Sequence, residues 1–487
     1  MNSMRCVKRF ESDNRMRLQM LILAFFVLVE GYLQKRSLCK MPRNDDFACP
    51  PATAIKPCKC TRVPIIPTIQ CDGASNLKTI HSALKEWFQC FPIPYLKLRN
   101  AHFTRLPSRA FSSIKVNRLE LKDSNFRYIS SAAFQGMDSL TVLRLHNVNL
   151  LTFPSESLNH LPSLMTLSIK TNNLRRILYS DLSGVQQLKH LCLSDNNLRH
   201  IGRGSFPVSL VTLFLSKNSL ITLNQSVRNL FSLEWLFLDH NFLLSIKGEL
   251  KELFKLKHLN LANNRISDLG SSLHNLHNLE VLDLQHNDIH ELGTSLWNLR
   301  QLKELNLRCN HVLQLNDDSF THLTSLTNLD LSNNKLLFLN EGLRPLFSLK
   351  AVDLSRNKIL DFSFHEISSL SNLTVINLND NGLKYLNSSS SLLTLPSTTL
   401  FLAKNRLSRF NGFLKHFPRL EELDISSNRF HVLTISQITI APRIYYINVK
   451  GNPLICDAEQ MDMYLELQNL DIEVDGRPIC NTEPYRM

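Results

Sequence analysis

The chain has 487 residues, of which 20% are charged, and its formal net charge is +13. This charge is moderate for the length, so it permits an acidic partner without identifying one. No block of five or six like charges occurs, which argues against a nucleic-acid-binding tail. A chain this long would ordinarily form about three domains, but an internal repeat overrides that expectation.

The first 31 residues have the pattern of a secretory signal peptide. A polar, basic stretch precedes an apolar run of about a dozen residues, LQMLILAFFVLV, and Gly31 follows soon after. The run is short for a membrane span, which needs about 20 residues. We therefore predict a signal peptide at 1–31 with cleavage near Gly31, the alternative being an uncleaved signal-anchor. A polar linker is expected at 32–48.

A group of cysteines precedes the repeats. A cysteine cluster behind a signal sequence indicates disulfides formed in an oxidising compartment. A zinc site is the alternative, but Cys58 and Cys60 are separated by one residue rather than the usual two to four. We predict a cysteine-rich cap at 49–92, because an uncapped first repeat would expose its core and an unpaired strand edge. The cysteines are Cys39 in the linker, then Cys49, Cys58, Cys60, Cys71 and Cys90.

The segment 256–266, LKHLNLANNRI, shows the repeating unit, L-x-x-L-x-L-x-x-N-x-I. Leu259 and Leu261 alternate with polar residues as a short strand does. One such strand can bury its leucines only against copies of itself. Copies recur every 22 to 24 residues, and we call the asparagine at the position of Asn264 the marker. The other markers are Asn172, Asn196, Asn218, Asn241, Asn287, Asn310, Asn334, Asn357, Asn381, Asn405, Asn428 and Asn452, with degenerate copies at Ala101, Ser124 and Val148.

This period and pattern are those of a leucine-rich repeat, with about sixteen copies in 93–455. The prediction is an α/β solenoid, a leucine-rich repeat arc in which one short strand per repeat joins a parallel concave sheet. The leucines form a continuous core, and disulfide-stapled caps close both ends. A buried marker amide has donors and an acceptor with which to satisfy backbone groups at the chain reversal. The markers are therefore interpreted as structural.

The order C-P, C-x-C, C in Cys49-Pro50, Cys58-Lys59-Cys60 and Cys71 resembles the N-terminal cap of extracellular leucine-rich repeat proteins. That resemblance implies the pairs Cys49–Cys60 and Cys58–Cys71. Cys39 and Cys90 remain, and they are candidates for a third pair.

The segment 456–487 resembles a reduced C-terminal cap of the same families. Cys456 and Cys480 flank MDMYLELQNLDIEV, and we infer a Cys456–Cys480 disulfide. The near-helical spacing of Met461, Tyr464 and Leu465, with Leu467 and Leu470 beyond, predicts a helix that lies over the last repeat. No apolar tail follows, so the mature product is expected to be soluble and secreted.

Two further cysteines and three glycosylation sequons lie within the repeats. Cys192 should face outward on the concave side, and Cys309 directly precedes a marker. They are five repeats apart, so they cannot bond within one chain; an unreactive thiol, an exposed thiol and a link to another chain all remain open. The sequons begin at Asn224, Asn372 and Asn387, and their predicted positions leave the concave face clear.

Outward-facing aromatic residues mark a candidate ligand-binding patch on the concave face. Inward leucines are required by the core, but nothing in the fold requires outward aromatics. Neighbouring outward side chains lie about 5 Å apart, so the rings should touch and form an anchor for a partner. The alternative is a self-stacking ladder that only covers the sheet. The patch consists of His190, Phe214, Trp235, Phe237 and His258.

Charge on this face is uneven. The first six repeats carry more basic than acidic residues, whereas the later repeats are balanced or slightly acidic. An acidic protein or a sulfated glycan could use the basic half, although such a surplus is often only a solvated surface. The basic residues are Lys97, Arg99, Arg118, Lys122, Arg144, Lys170, Lys189 and Lys217, and the acidic ones are Glu120, Asp123 and Asp195.

The sequence contains no H-E-x-x-H, G-x-S-x-G, P-loop or G-x-G-x-x-G motif, and an open arc lacks the closed pocket that most chemistry uses. We therefore predict a non-enzymatic protein without a cofactor or metal, and without nucleic acid as a partner. The layout of 58–150, including EWFQCF and FSSIKVNRLELKDSNFRYISSAAFQGM, resembles secreted arthropod leucine-rich repeat proteins. These include the non-catalytic subunit of shrimp luciferase and, more distantly, Toll-type receptor ectodomains.

The resulting hypothesis is a secreted binding protein that captures a protein or glycan on its concave face. The alternatives are a non-catalytic stabilising subunit of a secreted enzyme complex and a component of the extracellular matrix or of cell adhesion. One fold presents unrelated surfaces, so the pattern does not identify the ligand.

Overall fold

A computed structural model describes residues 49–477, apart from 51, 52, 54, 64, 65, 89–91, 113 and 388–393. Only the backbone is described at 62, 63, 66, 85–87 and 387. The predicted signal peptide and linker, and with them Cys39, lie outside the described residues. So do Cys90 and Cys480.

The described chain contains twenty-five strands, nineteen of which form one sheet. In chain order they are β1 Cys58–Val63, β2 Ile66–Asp72, β3 Tyr95–Arg99, β4 Arg105–Leu106, β5 Arg118–Lys122, β6 Tyr128–Ile129, β7 Val142–His146, β8 Thr166–Ser168, β9 Arg176–Ile177, β10 His190–Cys192, β11 His200–Ile201, β12 Thr212–Phe214, β13 Trp235–Phe237, β14 His258–Asn260, β15 Val281–Asp283, β16 Glu304–Asn306, β17 Asn328–Asp330, β18 Ala351–Asp353, β19 Asp361–Ser363, β20 Val375–Asn377, β21 Tyr385–Asn387, β22 Thr399–Phe401, β23 Glu422–Asp424, β24 Tyr446–Asn448 and β25 Glu473–Asp475.

The strands of the large sheet follow one another in repeat order. β1 and β2 form an antiparallel hairpin, and β2 pairs in parallel with β3. Fifteen further strands, from β5 to β24, then add in parallel, one per repeat, and β25 completes the sheet. The predicted solenoid of sixteen repeats with a parallel sheet is confirmed. We call the solvent-facing side of this sheet the concave face. The pairs β4–β6, β9–β11 and β19–β21 lie in the return segments.

Helices are few and short among the described residues. They are α1 Leu77–Trp87, α2 Ser155–Leu158, α3 Ile435–Ile438 and α4 Ala458–Asn469, with 3-10 helices at Phe364–Ile367 and Phe413–His416. None of the helices in this part of the chain is both long enough and apolar enough to cross a membrane.

Leucines at the repeat positions form the core. In the repeat that contains β14, Leu256, Leu259, Leu261 and Ile266 are each no more than 1% exposed. Full burial of such a side chain contributes roughly 1.5–3 kcal/mol to stability. Each repeat forms one turn of the solenoid, which we call a coil. A single coil has no second layer of its own, so the stabilisation by its leucines depends on contact with the coils on either side.

The marker amides link neighbouring coils. Asn264 is 8% exposed, and its Nδ2 donates to the backbone oxygens of Leu238 (3.0 Å), Leu261 (2.9 Å) and Ala262 (3.2 Å). Its Oδ1 accepts from the backbone N–H of Leu243 at 3.0 Å. Because two of these partners belong to the preceding coil, each marker ties its own coil to the one before it. The predicted structural role of Asn264 is confirmed.

The residue before each marker adopts a left-handed backbone conformation, which the sequence interpretation did not anticipate. Asn263 has φ 55°, His286 has φ 54° and Cys309 has φ 54°. This region is unfavourable for most side chains and least so for Asn, Asp and Gly. The sequence carried a signal, since this position often holds Asn, Asp or His. Examples are Asp195, His240, Asn263, His286, Asn333 and Asp380.

The N-terminal cap contains the disulfides Cys49–Cys60 and Cys58–Cys71, the two pairs that the family resemblance implied. Their Cα–Cα distances are 5.5 Å and 4.0 Å. The cap helix α1 begins after Asn76, whose side chain accepts from the backbone N–H of Lys78 at 2.8 Å. Because β2 pairs with β3, the β1–β2 hairpin of the cap covers the edge of β3 that would otherwise be unpaired.

The C-terminal cap contains α4 and β25. Cys456 is disulfide-bonded, and its inferred partner Cys480 lies outside the described residues. The buried Gln460 amide exchanges hydrogen bonds with the backbone of Leu433 at 3.1 and 3.0 Å, which fixes the helix to the last repeats. The predicted helix is present, but its predicted contact face was partly wrong. Met463, Tyr464 and Leu467 are buried, whereas Met461 and Leu465 are 38% and 54% exposed.

Candidate binding face

Four consecutive repeat strands bring the predicted patch together. β10, β12, β13 and β14 pair in parallel without a shift, so equivalent outward positions form straight rows across the sheet. The five patch residues occupy two adjacent rows of this lattice. One row contains His190, Thr212, Trp235 and His258, and the other contains Cys192, Phe214, Phe237 and Asn260.

The rings of the patch stack on one another. The Trp235 and His258 ring centroids are 3.6 Å apart, and those of Phe214 and Phe237 are 4.8 Å apart, with interplanar angles of 12° and 15°. Trp235 and Phe237 link the two rows at 6.3 Å. This stacking leaves Phe237 only 8% exposed, while Phe214 and Trp235 are half-buried. Phe237 therefore forms the floor of the patch, and Trp235 and Phe214 present its accessible surface.

Both histidines of the patch are neutral at pH 7. Burial lowers the pKa of His258 to about 4, and the ammonium groups of Lys257 and Lys303 contribute against the opposing effect of Glu280. Burial and the nearby Lys189 also lower the pKa of His190, whose Nδ1 lies 3.0 Å from Thr212 Oγ1. The imidazoles therefore extend an uncharged, largely aromatic surface.

Ion pairs border the patch at the edge where the strands begin. Lys257 Nζ lies 2.9 Å from Glu234 Oε2, and Lys303 Nζ lies 2.6 Å from Glu280 Oε2. The hydrogen bond from Lys303 lowers the pKa of Glu280, so that carboxylate is ionised at neutral pH. An apolar centre with a polar rim is the usual anatomy of a protein–protein interface.

Family models match this architecture. The leucine-rich repeat region model matches residues 244–468, and the leucine rich repeat model matches 138–198 and 186–243, so together they span more than half of the chain. The chain belongs to the leucine-rich repeat family. A search of curated protein sequences finds no match to this leucine-rich repeat protein.

Solved structures with the same fold share little sequence with it. The LRIM1/APL1C complex matches with TM-score 0.61 at 19% identity, over 71% of this chain and 63% of that one. A leucine-rich repeat protein of Leptospira interrogans matches with TM-score 0.58 at 20% identity, over 83% and 99%. The Drosophila Toll–Spatzle complex matches with TM-score 0.55 at 16% identity, over 83% and 77%. At these identities the likeness shows the fold alone.

Two of the three predicted glycosylation sites are exposed on return segments of the leucine-rich repeats. Asn224 and Asn372 both lie off the concave face, and their Nδ2 atoms donate to the backbone oxygens of Ile201 (3.2 Å) and Phe347 (2.9 Å). The side chain of Asn387 lies outside the described residues. Glycosylation remains a prediction, and glycans at Asn224 and Asn372 would leave the concave face clear.

A groove of about 640 Å³ lies at the edge where the first repeat strands end. Three of its lining asparagines hydrogen-bond to one another: Asn149 donates to Asn125 at 2.9 Å, and Asn173 donates to Asn149 at 2.8 Å. Among the described residues, no group of three or more His, Cys, Asp or Glu side chains could hold a metal ion.

The two free cysteines of the repeats differ in their surroundings. Both are half-buried. Burial alone would raise the pKa of the Cys309 thiol, but hydrogen bonds with His286 and Asn333 outweigh burial and lower it. Asn333 Nδ2 lies 2.8 Å from Cys309 Sγ. Within the described residues, the Cys192 Sγ makes one long contact, of 3.7 Å, with Ser194 Oγ.

We expect Cys309 to be alkylated several-fold faster than Cys192 at pH 7, because the thiolate is the reactive form. His286→Ala should slow the reaction at Cys309 and leave the rate at Cys192 unchanged. Iodoacetamide labelling followed by peptide mass spectrometry measures both rates in one sample. Equal rates for the two thiols, or a rate at Cys309 that is insensitive to His286→Ala, would contradict the assigned hydrogen bond.

Asp283 extends the row of Phe237 by two strands, and burial raises its pKa to about 6 despite hydrogen bonds from Gln285. A carboxyl group with a raised pKa binds its proton more tightly in the folded chain. Stability from this group is therefore present below its ordinary pKa near 4 and is lost as pH rises through 6.

Asp283→Asn should stabilise the protein by up to about 3 kcal/mol at pH 7–8 and have no stabilising effect below pH 4. Asparagine suits this position, because Asn260 in the same row accepts a backbone hydrogen bond from Ala262 at 2.9 Å, as Asp283 does from Gln285. Urea unfolding between pH 3.5 and 8 measures the difference. A difference between variant and wild type that does not vary with pH would show that Asp283 titrates normally.

Proposed function

We propose that this leucine-rich repeat protein is a secreted, non-enzymatic binding protein that captures an extracellular protein on its concave face. The observation that carries this proposal is the outward stack of Trp235, Phe237 and Phe214 at the centre of four aligned strands. The leucine core needs no aromatic residue on the other side of the sheet. Tryptophan and other aromatic residues are enriched among the residues that dominate binding energy at interfaces.

A protein ligand suits this patch better than a sulfated glycan does. Trp235 and Phe214 offer apolar area, and neutral His258 and His190 add no positive charge for a sulfate group. At the border of the patch, Lys257 and Lys303 are each paired with a glutamate, so their charges are already offset. A glycan would instead use the basic half of the face.

Several observations support an extracellular setting. The N-terminal cap holds two disulfides, which persist in oxidising compartments. The signal-peptide pattern at 1–31 agrees with secretion. Among structures with this fold are Toll with Spatzle and a plant peptide hormone receptor with its peptide, both complexes with protein or peptide ligands.

The test is capture from extracellular fluid of the source organism by the immobilised full-length protein, with and without heparin as a sulfated competitor. The proposal expects a protein that is at least partly retained in excess heparin and is lost when the patch is disrupted. A ligand that heparin releases completely, and whose capture is unchanged when the patch is disrupted, would contradict a protein ligand at the patch. Stoichiometric recovery of one enzyme would instead favour a stabilising subunit, the role that the luciferase-subunit resemblance implies.

A further inference from the structure

The charge of the concave face changes along the repeats. Three outward positions per repeat form three rows across the parallel strands, because these strands pair without a shift. In the three-residue strands the third of these positions follows the strand. On β3, β5, β7 and β8 and the positions just after them, these rows contain six cations and one carboxylate. The cations are Lys97, Arg99, Arg118, Lys122, Arg144 and Lys170, and the carboxylate is Glu120.

We call the part of the concave face from β3 to β8 the basic end. The carboxylates around it offset only part of its positive charge. Asp123 lies 3.6 Å from Lys122, and Asp195 lies 3.5 Å from Lys170. Glu120 is buried and accepts from the hydroxyl of Tyr95. Asp72 on β2 is the register partner of Arg99, so six cations against four carboxylates leave an excess of two positive charges.

Two titratable groups within the basic end, Lys97 and His146, are partly buried and lie close to several cations. Burial lowers the pKa of Lys97, and the neighbouring Arg99, Arg144 and Lys122 lower it further, against the effect of Glu120. Burial likewise lowers the pKa of His146 to about 4, with Arg144 and Lys122 acting in the same direction. In addition, the Nε of Arg99 is buried and has no hydrogen-bond partner in the described part of the chain. An anionic ligand would offset the repulsion between these neighbouring cations.

The part of the face from β15 to β18 is acidic, and we call it the acidic end. The outward positions of β15 to β18 include four carboxylates, against the single cation Arg308 that follows β16. Burial and neighbouring carboxylates raise the pKa values of Asp283 and Asp330. A cation above them would favour the ionised forms. The four carboxylates are Asp283, Glu304, Asp330 and Asp353.

The uncharged aromatic patch separates these two ends. Strands in a sheet are about 4.8 Å apart, so five strand spacings, roughly 24 Å, join the middle of the basic end to Trp235. Four spacings, roughly 19 Å, join Trp235 to Asp330. An extended peptide advances about 3.3 Å per residue, so about 13 residues would cross from one charged end to the other.

We propose that the concave face binds an extended peptide segment that lies across the strands. Its acidic residues contact β3 to β8, an apolar residue contacts Trp235 and Phe214, and its basic residues contact β15 to β18. This inference rests on the proposed capture of a protein ligand and adds the charge order and spacing of the bound segment. A sulfated glycan is negative along its whole length, so the acidic end excludes it from spanning the face.

Synthetic peptides test the charge order. The probe is a linear 20-residue peptide with four glutamates, a glycine–serine spacer, Tyr-Leu-Phe, a second spacer and four lysines. A peptide of the same composition with its charges alternating serves as the comparison. Fluorescence anisotropy with the full-length protein at low salt should show the ordered peptide binding about tenfold or more tightly than the alternating one, with a gap that narrows as salt rises.

A charge-reversal variant of the protein tests the contact between the basic end and the glutamates of the peptide. Lys122→Glu with Lys170→Glu, at side chains 37% and 48% exposed, should weaken the ordered peptide about tenfold. The same variant should favour a peptide whose glutamates are replaced by lysines. Lys255→Glu with Lys384→Glu makes the same charge change at exposed positions off the concave face and should have little effect.

Three outcomes would overturn the inference: equal binding of the ordered and alternating peptides, no binding of any peptide, or equal effects of the two lysine pairs. None of them bears on capture of the native ligand by the aromatic patch. Capture of the native ligand is measured separately, with variants of Trp235 and Phe237. Failure of the peptide-binding proposal is therefore distinguishable from failure of the proposed function.

Discussion

Replacing Trp235 and Phe237 together by alanine should lower the affinity for the native ligand by about 100-fold or more and leave the repeats folded. Truncating a central interface residue costs at least about 2 kcal/mol, and a loss of 2.7 kcal/mol corresponds to about 100-fold in Kd. The double change removes the exposed indole and the ring that supports Phe214 from below. Surface plasmon resonance with the captured ligand measures the loss.

A matched pair of aromatic residues elsewhere provides the control. Phe231 and Phe254 stack at 6.5 Å on the return segments and are 48% and 46% exposed, so they are more accessible than the patch itself. Phe231→Ala with Phe254→Ala should leave binding unchanged. Because Phe237 is nearly buried, Trp235→Ala alone is a second test that disturbs the sheet less. Full binding by a folded Trp235→Ala, Phe237→Ala variant would show that this patch is not the binding site.

Asn264→Ala should destabilise the protein by roughly 3 kcal/mol. The change removes four hydrogen bonds and leaves the N–H of Leu243 and the carbonyl of Leu238 buried without their partner, at about 1–3 kcal/mol for each unsatisfied group. Asn278 offers a control, since its exposed amide makes one hydrogen bond in the part of the chain that the structure describes, to the backbone oxygen of Phe254 at 2.8 Å. Asn278→Ala should cost less than about 1 kcal/mol.

Urea unfolding gives the two free energies, and hydrogen exchange shows where the loss occurs. In a solenoid each coil contacts only its neighbours, so Asn264→Ala should increase exchange first in the coils of β13 and β14. Equal stability of the Asn264→Ala and Asn278→Ala proteins would contradict the role of the marker amides.

The sequence alone was sufficient to predict the repeat strands and the direction of their side chains. Fixed spacing made this possible: Leu259 and Leu261 must face one core, so His258 and Asn260 must face away from it. The register between strands followed from the marker positions, which is why Trp235 and His258 were expected side by side. The buried amide of Asn264 followed from the same alternation and from the need to satisfy backbone groups.

Other features depend on distances that spacing does not specify. The low exposure of Phe237, for example, depends on the rotation of the neighbouring rings and on the distance between adjacent coils. The contact between Cys309 and His286 requires the left-handed corner, whose signal was present in the Asn, Asp and His residues before the markers. The contact face of α4 was assigned only in part: Tyr464 is buried as predicted, but spacing alone did not reveal that Gln460 anchors the helix to the last repeats.

Hydrogen–deuterium exchange of the free protein and of its complex with the captured ligand tests the central claim most directly. The claim is that the aromatic patch of β12 to β14 is the site at which this leucine-rich repeat protein holds a partner. The account predicts that protection on binding is largest in 212–216, 235–239 and 258–262, with little change in the return segments around Phe231 and Phe254. Protection confined to the return segments, with the patch strands unchanged, would contradict it.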